Sequence, residues 1–258
     1  MTALKGTDDA DALYGSELHD RIYGQLGDDY IVGFGSDQVG IENIWGGGGN
    51  DYIYTGDGNG SDIARGMRGD DRLVSLAGTD YLFGGVGSDT LIGGSNWCLL
   101  DGGRDSDTIF ISEGIAKGRH GADQIIAADT RGAFWFPDPS TTILAGGGRE
   151  GDTFEVRFSA EEPGNYIVRI LDYKAKTGDV LLLRQDSIVD GSTVLTDAQI
   201  KDLLDTNDDR RIDVADGFDE ATGYGVTATG TGPGAQLELH IAGDLLILDR
   251  TSHLDFTV

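Results

Sequence analysis

A nine-residue repeat is the feature of the sequence that most restricts its possible folds. Between residues 66 and 110 the chain reads as five successive units, GMRGDDRLV, SLAGTDYLF, GGVGSDTLI, GGSNWCLLD and GGRDSDTIF. The sixth position of these units holds Asp71, Asp80, Asp89, Cys98 and Asp107. The eighth position always holds a large aliphatic residue, namely Leu73, Leu82, Leu91, Leu100 and Ile109. Because one such unit is too short to bury a core by itself, the repeat predicts stacked, similar coils that share one core.

The same spacing continues on both sides of this stretch. Upstream, the units GTDDADALY, GSELHDRIY, GQLGDDYIV and GGGGNDYIY supply Asp11, Asp20, Asp29 and Asp51. Downstream, the weaker units GRHGADQII and GGREGDTFEV supply Asp123 and Asp152. The phase slips after Gly33, and two extra residues precede Asp62. The repeat therefore predicts one continuous structure over about residues 5 to 155.

Each unit predicts a tight glycine-bearing turn followed by a three-residue strand whose middle side chain points inward. Two units should complete one coil, so that residues eighteen positions apart stack on one another. The expected result is two rows of side chains along the two edges of the coil. One row should contain Asp71, Asp89 and Asp107, and the other should contain Asp62, Asp80 and Cys98.

Stacked aspartates next to glycine turns suit calcium, which binds six to eight oxygens from carboxylates and backbone carbonyls. The expected ligands are Asp11, Asp20, Asp29, Asp51, Asp71, Asp80, Asp89, Asp107, Asp123 and Asp152, with the turn residues Gly69, Gly78, Gly85, Gly87 and Gly103. The alternative is ordinary turn chemistry, since aspartate and glycine are common in turns. Because the aspartate and the aliphatic residue recur at the same positions of the units, we favour calcium sites over ordinary turns. Cys98 breaks one expected site, because a thiol is a poor ligand for calcium.

With these units the chain resembles the RTX family, whose members carry hemolysin-type calcium-binding repeats. The resemblance implies an all-β fold, a right-handed parallel β-roll over residues 1–155, with a mostly β C-terminal domain over residues 156–258 that caps the roll and carries a secretion signal. It also implies several bound calcium ions, folding on calcium binding, and a secreted, extracellular location. The segment with Ile170, Asp172, Tyr173, Gly178 and Asp179 is similar to the one that closes RTX rolls.

The negative net charge of the chain favours cations as its binding partners. Forty-five acidic and 19 basic side chains leave a formal net charge of −26, which repels nucleic acids and anionic membrane surfaces. The single cysteine excludes an internal disulfide. No apolar run is long enough for a transmembrane segment. The N-terminus, MTALKGTDDADALYG, has neither the basic nor the apolar region of a signal peptide, so we expect export by another route.

The C-terminal third predicts a different structure. YIVRILDYKAKTGDVLLL, from Tyr166 to Leu183, alternates on both sides of a turn and predicts a β-hairpin or strand pair. Thr196 or Asp197 is placed to cap a short helix that ends at Leu204. Three further strands are expected near residues 226–229, 236–241 and 245–248.

Residues 205–216, DTNDDRRIDVAD, resemble an EF-hand calcium loop. The expected ligands at positions one, three, five, seven, nine and twelve are Asp205, Asn207, Asp209, Arg211, Asp213 and Asp216. Two departures weaken the match, because Arg210 replaces the turn glycine and Asp216 replaces the bidentate glutamate. The alternative is an acidic, solvated connection.

The last four residues, Asp255 to Val258, are similar to the acidic and hydrophobic tail of type I secretion substrates. The expected partners are thus calcium ions and the type I secretion machinery. The sequence has no HExxH or GxSxG motif, and its glycine runs lack a phosphate-loop lysine, so we expect no enzyme activity. An alternative is a calcium-dependent polysaccharide-binding or adhesin module, or an accessory module of an extracellular enzyme. The segment FWFP, from Phe134, would be its binding site.

Overall fold

The structure is a computed structural model. It describes residues 2–16, 19–34, 41–94, 96–128, 140–159, 166–174, 178–186, 193–195, 197–204, 211–213, 218–219, 224–229, 236–241, 244–249 and 253–255. The chain divides into two compact units. The first contains residues 1–125 and 146–150, and the second contains residues 126–145 and 151–258.

The first unit is built from short strands that alternate between two parallel sheets. Its strands are β1 (Thr2–Lys5), β2 (Ala12–Tyr14), β3 (Asp20–Leu26), β4 (Tyr30–Val32), β5 (Asn43–Gly48), β6 (Tyr52–Tyr54), β7 (Ile63–Arg68), β8 (Arg72–Val74), β9 (Tyr81–Val86), β10 (Thr90–Ile92), β11 (Cys98–Arg104), β12 (Thr108–Ile111) and β13 (Gly114–His120). The odd-numbered strands follow one another in one sheet, and the even-numbered strands follow one another in the other. Each coil therefore adds one strand to each sheet, which confirms the parallel β-roll.

The aliphatic residues at the eighth repeat position form the core of the roll. Ile22, Ile31, Ile53, Leu73, Leu82, Leu91, Leu100, Ile109 and Ile125 are all completely buried. Leu13, in the first coil, is only half-buried. The degenerate segment after the phase slip still forms β5, and its Ile44 is completely buried. Irregular sequence is accommodated between coils, so the inward side chains stay in register.

The step between neighbouring coils varies with the length of their turns. Asp71 and Asp89 are 18 residues apart, whereas Asp29 and Asp51 are 22 apart and Asp107 and Asp123 are 16 apart. Strands β8 and β10, across the 18-residue step, and strands β4 and β6, across the 22-residue step, pair in the same parallel register, so the extra residues lie outside these strands. The phase slips seen in the sequence are thus changes of turn length.

The turns of the roll use left-handed backbone conformations. The five glycines predicted as ligands, Gly69, Gly78, Gly85, Gly87 and Gly103, all have positive φ angles. At Gly69 and Gly87 a Cβ would also collide with the carbonyl of the preceding coil. Met67 takes such an angle as a non-glycine residue, with φ of 85°. Glycine at these positions relieves both conformational and packing strain.

The second unit combines parallel and antiparallel strands. Its elements are β16 (Thr153–Ser159), β17 (Tyr166–Ile170), β18 (Val180–Asp186), β19 (Thr193–Leu195), α1 (Asp197–Leu204), β20 (Arg211–Asp213), β21 (Phe218–Asp219), β22 (Tyr224–Thr229), β23 (Gln236–Ile241), β24 (Asp244–Asp249) and β25 (His253–Asp255), while β14 (Gln124–Ala128) and β15 (Ser140–Gly147) contribute to both units. Strand β17 pairs in parallel with β15 and β24, and β18 pairs in parallel with β16. From β24 to β21 the pairing is antiparallel. The predicted helix and the three predicted C-terminal strands are confirmed.

The hairpin predicted over residues 166–183 is wrong. Strands β17 and β18 belong to different sheets and do not pair with each other. The turn between them carries Asp179, whose carboxylate accepts a hydrogen bond from the backbone nitrogen of Asp152 at 3.2 Å. An alternating strand-turn-strand pattern fits a hairpin and a coil of the roll equally well. In the structure the two strands lie in different sheets, as the two strands of one coil do.

Candidate metal centre

Seven aspartates form a ladder along one edge of the first unit. We call this ladder the first row; its members are Asp11, Asp29, Asp51, Asp71, Asp89, Asp107 and Asp123. The Oδ1 atom of each member after Asp11 accepts a hydrogen bond of 2.8 or 2.9 Å from the backbone nitrogen of the preceding member. Because each carboxylate binds the backbone of the coil before it, the ladder fixes both its position and its orientation.

The second carboxylate oxygen defines the candidate site. Among the described residues, no donor reaches the buried Oδ2 atoms of Asp29, Asp51, Asp71, Asp89 and Asp107. These residues are at most 2% exposed, so water cannot readily supply the missing hydrogen bonds. A buried polar atom without a partner costs about 1–3 kcal/mol, and more when it is charged. A bound cation would offset this cost for the five Oδ2 atoms in the row.

A glycine lies opposite each of these oxygens. We call the glycine five residues before each aspartate its facing residue; the five are Gly24, Gly46, Gly66, Gly84 and Gly102. A Cβ on any of them would overlap the Oδ2 atom. At Gly24, Gly46 and Gly84 the carbonyl oxygen of the next facing glycine converges on the same point. A carboxylate oxygen and a carbonyl oxygen around a space without a side chain are the donors that calcium uses.

Electrostatics also point to a cation. Burial, opposed by the backbone hydrogen bond and increased by neighbouring carboxylates, raises the pKa of Asp71 and Asp107 to about 8. Burial likewise raises the pKa of Asp89 to about 7 and that of Asp51 to about 6. Without a cation, part of the row would hold protons at neutral pH. A divalent ion would replace those protons and allow the carboxylates to stay charged.

The opposite edge carries a second row of different composition. Asp20, Glu42, Asp62, Asp80 and Cys98 immediately precede strand residues that pair with one another in register, and they form the second row. The backbone nitrogens of Glu42 and Asp62 each donate to the Oδ1 atom of the next member at 2.8 Å. The backbone ladder is thus the same as in the first row, and the expected two-row arrangement is present.

Asp80 differs from the first-row aspartates in its Oδ2 atom. The hydroxyl of Ser75 donates to Asp80 Oδ2 at 2.6 Å, and the hydroxyl of Thr55 donates to it at 3.0 Å. Burial raises the pKa of Asp80 to about 6, and the Ser75 hydroxyl opposes that rise. Asp20 is similar, since the backbone nitrogen and hydroxyl of Ser16 both donate to its Oδ2 atom. Protein donors therefore satisfy these two carboxylates.

Glu42 is the second-row residue that most resembles the first row. It is completely buried, and in the described part of the chain no donor reaches either of its carboxylate oxygens. Burial, and then the adjacent carboxylate of Asp62, raises its pKa to about 9. Glu42 and Asp62 therefore need a proton or a cation between them at neutral pH.

Cys98 ends the run of carboxylates in the second row. Its side chain is completely buried, its Sγ atom donates to the carbonyl of Asn96 at 3.3 Å, and it lies 4.0 Å from the hydroxyl of Ser75. Burial raises the pKa of the thiol, so it stays neutral. A neutral thiol supplies no charge for a calcium ion.

The remaining predicted ligands lie in different environments. Asp11 starts the first row, but its Oδ2 atom already accepts hydrogen bonds from the backbone nitrogen and hydroxyl of Thr7. Asp152 lies in the second unit, where it donates to Asp179 in the manner of the first row. Of the EF-hand-like loop, the structure describes only the strand Arg211–Asp213, which pairs antiparallel with β25. Asp205, Asn207, Asp209 and Asp216 lie outside the described residues, as does the FWFP segment.

Three groups of residues at this centre were not predicted from the sequence. They are the five facing glycines, the hydroxyl residues Thr55 and Ser75, and Glu42. The sequence does distinguish the facing glycines from the hydroxyl residues. The first repeat position is glycine in the first-row units but threonine or serine at residues 55 and 75. Glu42 lies in a unit whose sequence departs too far from the nine-residue repeat to be aligned with it.

Two kinds of feature are absent from the residues that the structure describes. Among the described residues, no three histidine, cysteine, aspartate or glutamate side chains converge in a single metal cluster. At Gly24, Gly46 and Gly84 the first row instead combines one carboxylate oxygen with a backbone carbonyl oxygen, and such a site has few ionisable side chains. No helix in the described part of the chain is long and apolar enough to cross a membrane.

Comparison with known families agrees with this geometry. The model of the RTX calcium-binding nonapeptide repeat (4 copies) matches residues 5–37, 39–59 and 58–91. The match includes the first-row residues Asp29, Asp51, Asp71 and Asp89 and the second-row residues up to Asp80. No curated protein matches the chain.

Proposed function

The chain carries RTX calcium-binding nonapeptide repeats across residues 5–91, and on that basis we propose that it is a secreted, non-catalytic calcium-binding protein whose roll folds when calcium binds. The observation that carries the proposal is the row of five buried aspartate oxygens without a hydrogen-bond donor in the described structure. Burial of unpartnered carboxylates is unfavourable unless a cation accompanies them.

The first row supplies the residues that would hold calcium. The Oδ2 atoms of Asp29, Asp51, Asp71, Asp89 and Asp107 and the carbonyl oxygens of their facing glycines are the proposed ligands. Bound calcium would supply two positive charges at each position. The Oδ1 atoms remain on the backbone ladder, so each aspartate would link two coils and one ion at once.

Coupled folding follows from the energies involved. Each unpartnered carboxylate oxygen costs about 1–3 kcal/mol or more, whereas a whole domain is stable by only about 5–15 kcal/mol. Five such costs are of the same size as the total stability. The metal-free roll should therefore be unstable at neutral pH, and the free energy of calcium binding should appear as free energy of folding.

Export as an unfolded chain fits this coupling. Extracellular calcium modules bind calcium in the range of about 10⁻⁴–10⁻³ M, which would leave this roll unfolded where calcium is scarce and folded outside the cell. We propose that residues 156–258 close the roll and carry the signal for a type I channel. The chain has a net charge of −26, and its carboxylates repel one another until cations bind. This repulsion also favours the unfolded chain.

Circular dichroism of the purified full chain tests the proposed function. We expect little strand signal in EDTA at neutral pH, and a strand signal that appears on titration with calcium but not with an equal concentration of sodium. A strand signal of equal strength in EDTA and in calcium would show that the roll does not need the metal.

A further inference from the structure

The two rows share a backbone ladder but differ in the hydrogen-bond donors around the second carboxylate oxygen, Oδ2. Asp71, Asp80 and Asp89 each accept a backbone hydrogen bond of 2.8 Å through Oδ1, in turns of the same nine-residue length. The Oδ2 atoms of Asp71 and Asp89 have no donor in the described structure, whereas Asp80 has two. The difference therefore comes from the residues around Oδ2.

Those residues occupy equivalent places in the two edges. Ser75 stands five residues before Asp80, as Gly66 stands before Asp71 and Gly84 before Asp89. The backbone nitrogen of Ser75 donates to the neighbouring coil at 2.9 Å, and that of Thr55 donates to the coil of Ser75 at 3.0 Å. Thr55 and Ser75 thus succeed one another in a column that is all glycine along the five first-row positions. Their Cβ and hydroxyl groups fill the space that the glycines leave open.

The hydroxyl groups also supply what the carboxylate lacks. Ser75 and Thr55 are completely buried, and both aim a proton at the same oxygen of Asp80, at 2.6 and 3.0 Å. Hydrogen bonds to an ionised acceptor are stronger than neutral ones. A cation at this oxygen would have to displace two donors and their side chains. On the far side, the buried Sγ atom of Cys98 lies 4.0 Å from the Ser75 hydroxyl and offers no anionic ligand.

We propose that the hydroxyls of Thr55 and Ser75 take the place of a calcium ion at Asp80. This position is a metal-free support within the second row, and the neighbouring first-row positions fill with calcium. At Asp71, Asp80 and Asp89 the residue at the first repeat position is then the specificity determinant: Gly66 and Gly84 leave the Oδ2 atom open to calcium, and Ser75, together with Thr55, closes it. The inference rests on the proposed function, since it concerns which positions of the roll take calcium.

Calcium counts on the full chain test the inference. The number of ions bound per chain is measured by equilibrium dialysis for the wild type, Asp80→Asn, Asp89→Asn and the double variant Thr55→Gly/Ser75→Gly. Asp80→Asn should leave the count unchanged, because its amide oxygen can still accept from the Asp62 nitrogen and its amide nitrogen can donate to the oxygens of the two hydroxyls. Asp89→Asn is the matched first-row variant and should lose at least one ion. The double glycine variant should gain one ion.

The outcomes separate this inference from the proposed function. A wild type that binds no calcium would overturn the proposed function itself. If the wild type binds calcium, loss of an ion in Asp80→Asn would show that Asp80 is already a ligand and would overturn the inference. A folded double glycine variant with no added ion would also overturn it. If that variant does not fold, the comparison of Asp80→Asn with Asp89→Asn still decides.

Discussion

The two edges of the roll share the same kind of backbone ladder, yet only the first row has five successive aspartates whose Oδ2 atoms lack a donor among the described residues. In the first row, glycine faces each of five aspartates and their Oδ2 atoms have no donor in the described structure. In the second row, Ser16, Ser75 and Thr55 donate to aspartates, and Cys98 removes one carboxylate. Hydroxyl residues at the first repeat position, Thr55 and Ser75, and at the second, Ser16, thus give second-row aspartates the donors that these five first-row aspartates lack. The following predictions test that contrast, from the largest expected effect to the smallest.

The pH dependence of the metal-free chain should be large, because it involves several first-row carboxylates. Their pKa values in the folded state, about 6 for Asp51, about 7 for Asp89 and about 8 for Asp71 and Asp107, lie above the ordinary value of 3.8. The folded state therefore binds more protons than the unfolded state between those values. The stability that these four carboxylates contribute is fully present below about pH 4 and is lost as the pH rises through about 8.

This pH dependence is measured by denaturant unfolding of chelator-treated protein across that pH range. With calcium present the trend in affinity should be opposite, since calcium competes with protons and binds more tightly as the pH rises. Metal-free stability that is constant or rises with pH would contradict the assignment of the row.

Removal of two first-row carboxylates should raise the calcium concentration needed for folding. We expect Asp71→Asn/Asp107→Asn to shift the midpoint of calcium-induced folding by about tenfold for each charge, since a hydrogen bond or ligand contact to a charged group is worth about 1.5–3 kcal/mol. The control is Asp70→Asn, because Asp70 is exposed and its Oδ1 atom accepts from Ser88, a role that asparagine retains. Equal shifts in the variant and the control would point to net charge alone rather than to the row.

The reciprocal exchange at a facing residue should close one first-row position. In Gly84→Ser, a Cβ would overlap Asp89 Oδ2 and the hydroxyl would donate to it, as Ser75 does to Asp80. We expect the loss of about one ion and a rise of about tenfold in the folding midpoint for calcium, equivalent to about 1.4 kcal/mol. Calcium titration of the variant by calorimetry measures both. An unchanged stoichiometry would mean that facing glycines do not decide where calcium binds.

The smallest effect concerns backbone strain in a first-row turn. Met67 has a φ of 85°, an angle that costs a residue with a Cβ about 1–2 kcal/mol. We expect Met67→Gly to stabilise the calcium-bound roll by up to about 1 kcal/mol, because the gain is offset by the greater entropy of glycine in the unfolded chain. Thermal melts in saturating calcium measure the change. Met67→Ala keeps the Cβ and should show no such gain.

Much of the roll was predictable because its period is short and its pattern is local. The inward aliphatic residues, the glycine turns and the two rows followed from a nine-residue repeat with two units per coil. The strand partners of β17 and β18 did not follow, since a strand-turn-strand pattern is the same in a hairpin and in a coil. The glutamate at residue 42 was also missed, because its alignment depends on a turn whose length is set by the neighbouring coils.

The sequence by itself determined that the repeats form a parallel roll with acidic edges, because stacked coils of this period bury the aliphatic residue of each unit in one continuous core. Only the tertiary structure decided which carboxylates lack a partner. Whether an Oδ2 atom meets a hydroxyl or an open space depends on residues from two coils, such as Thr55 and Ser75 around Asp80, which are 25 and 5 residues away in the chain. Stacking brings these groups together, and a pattern read within one repeat does not contain that contact.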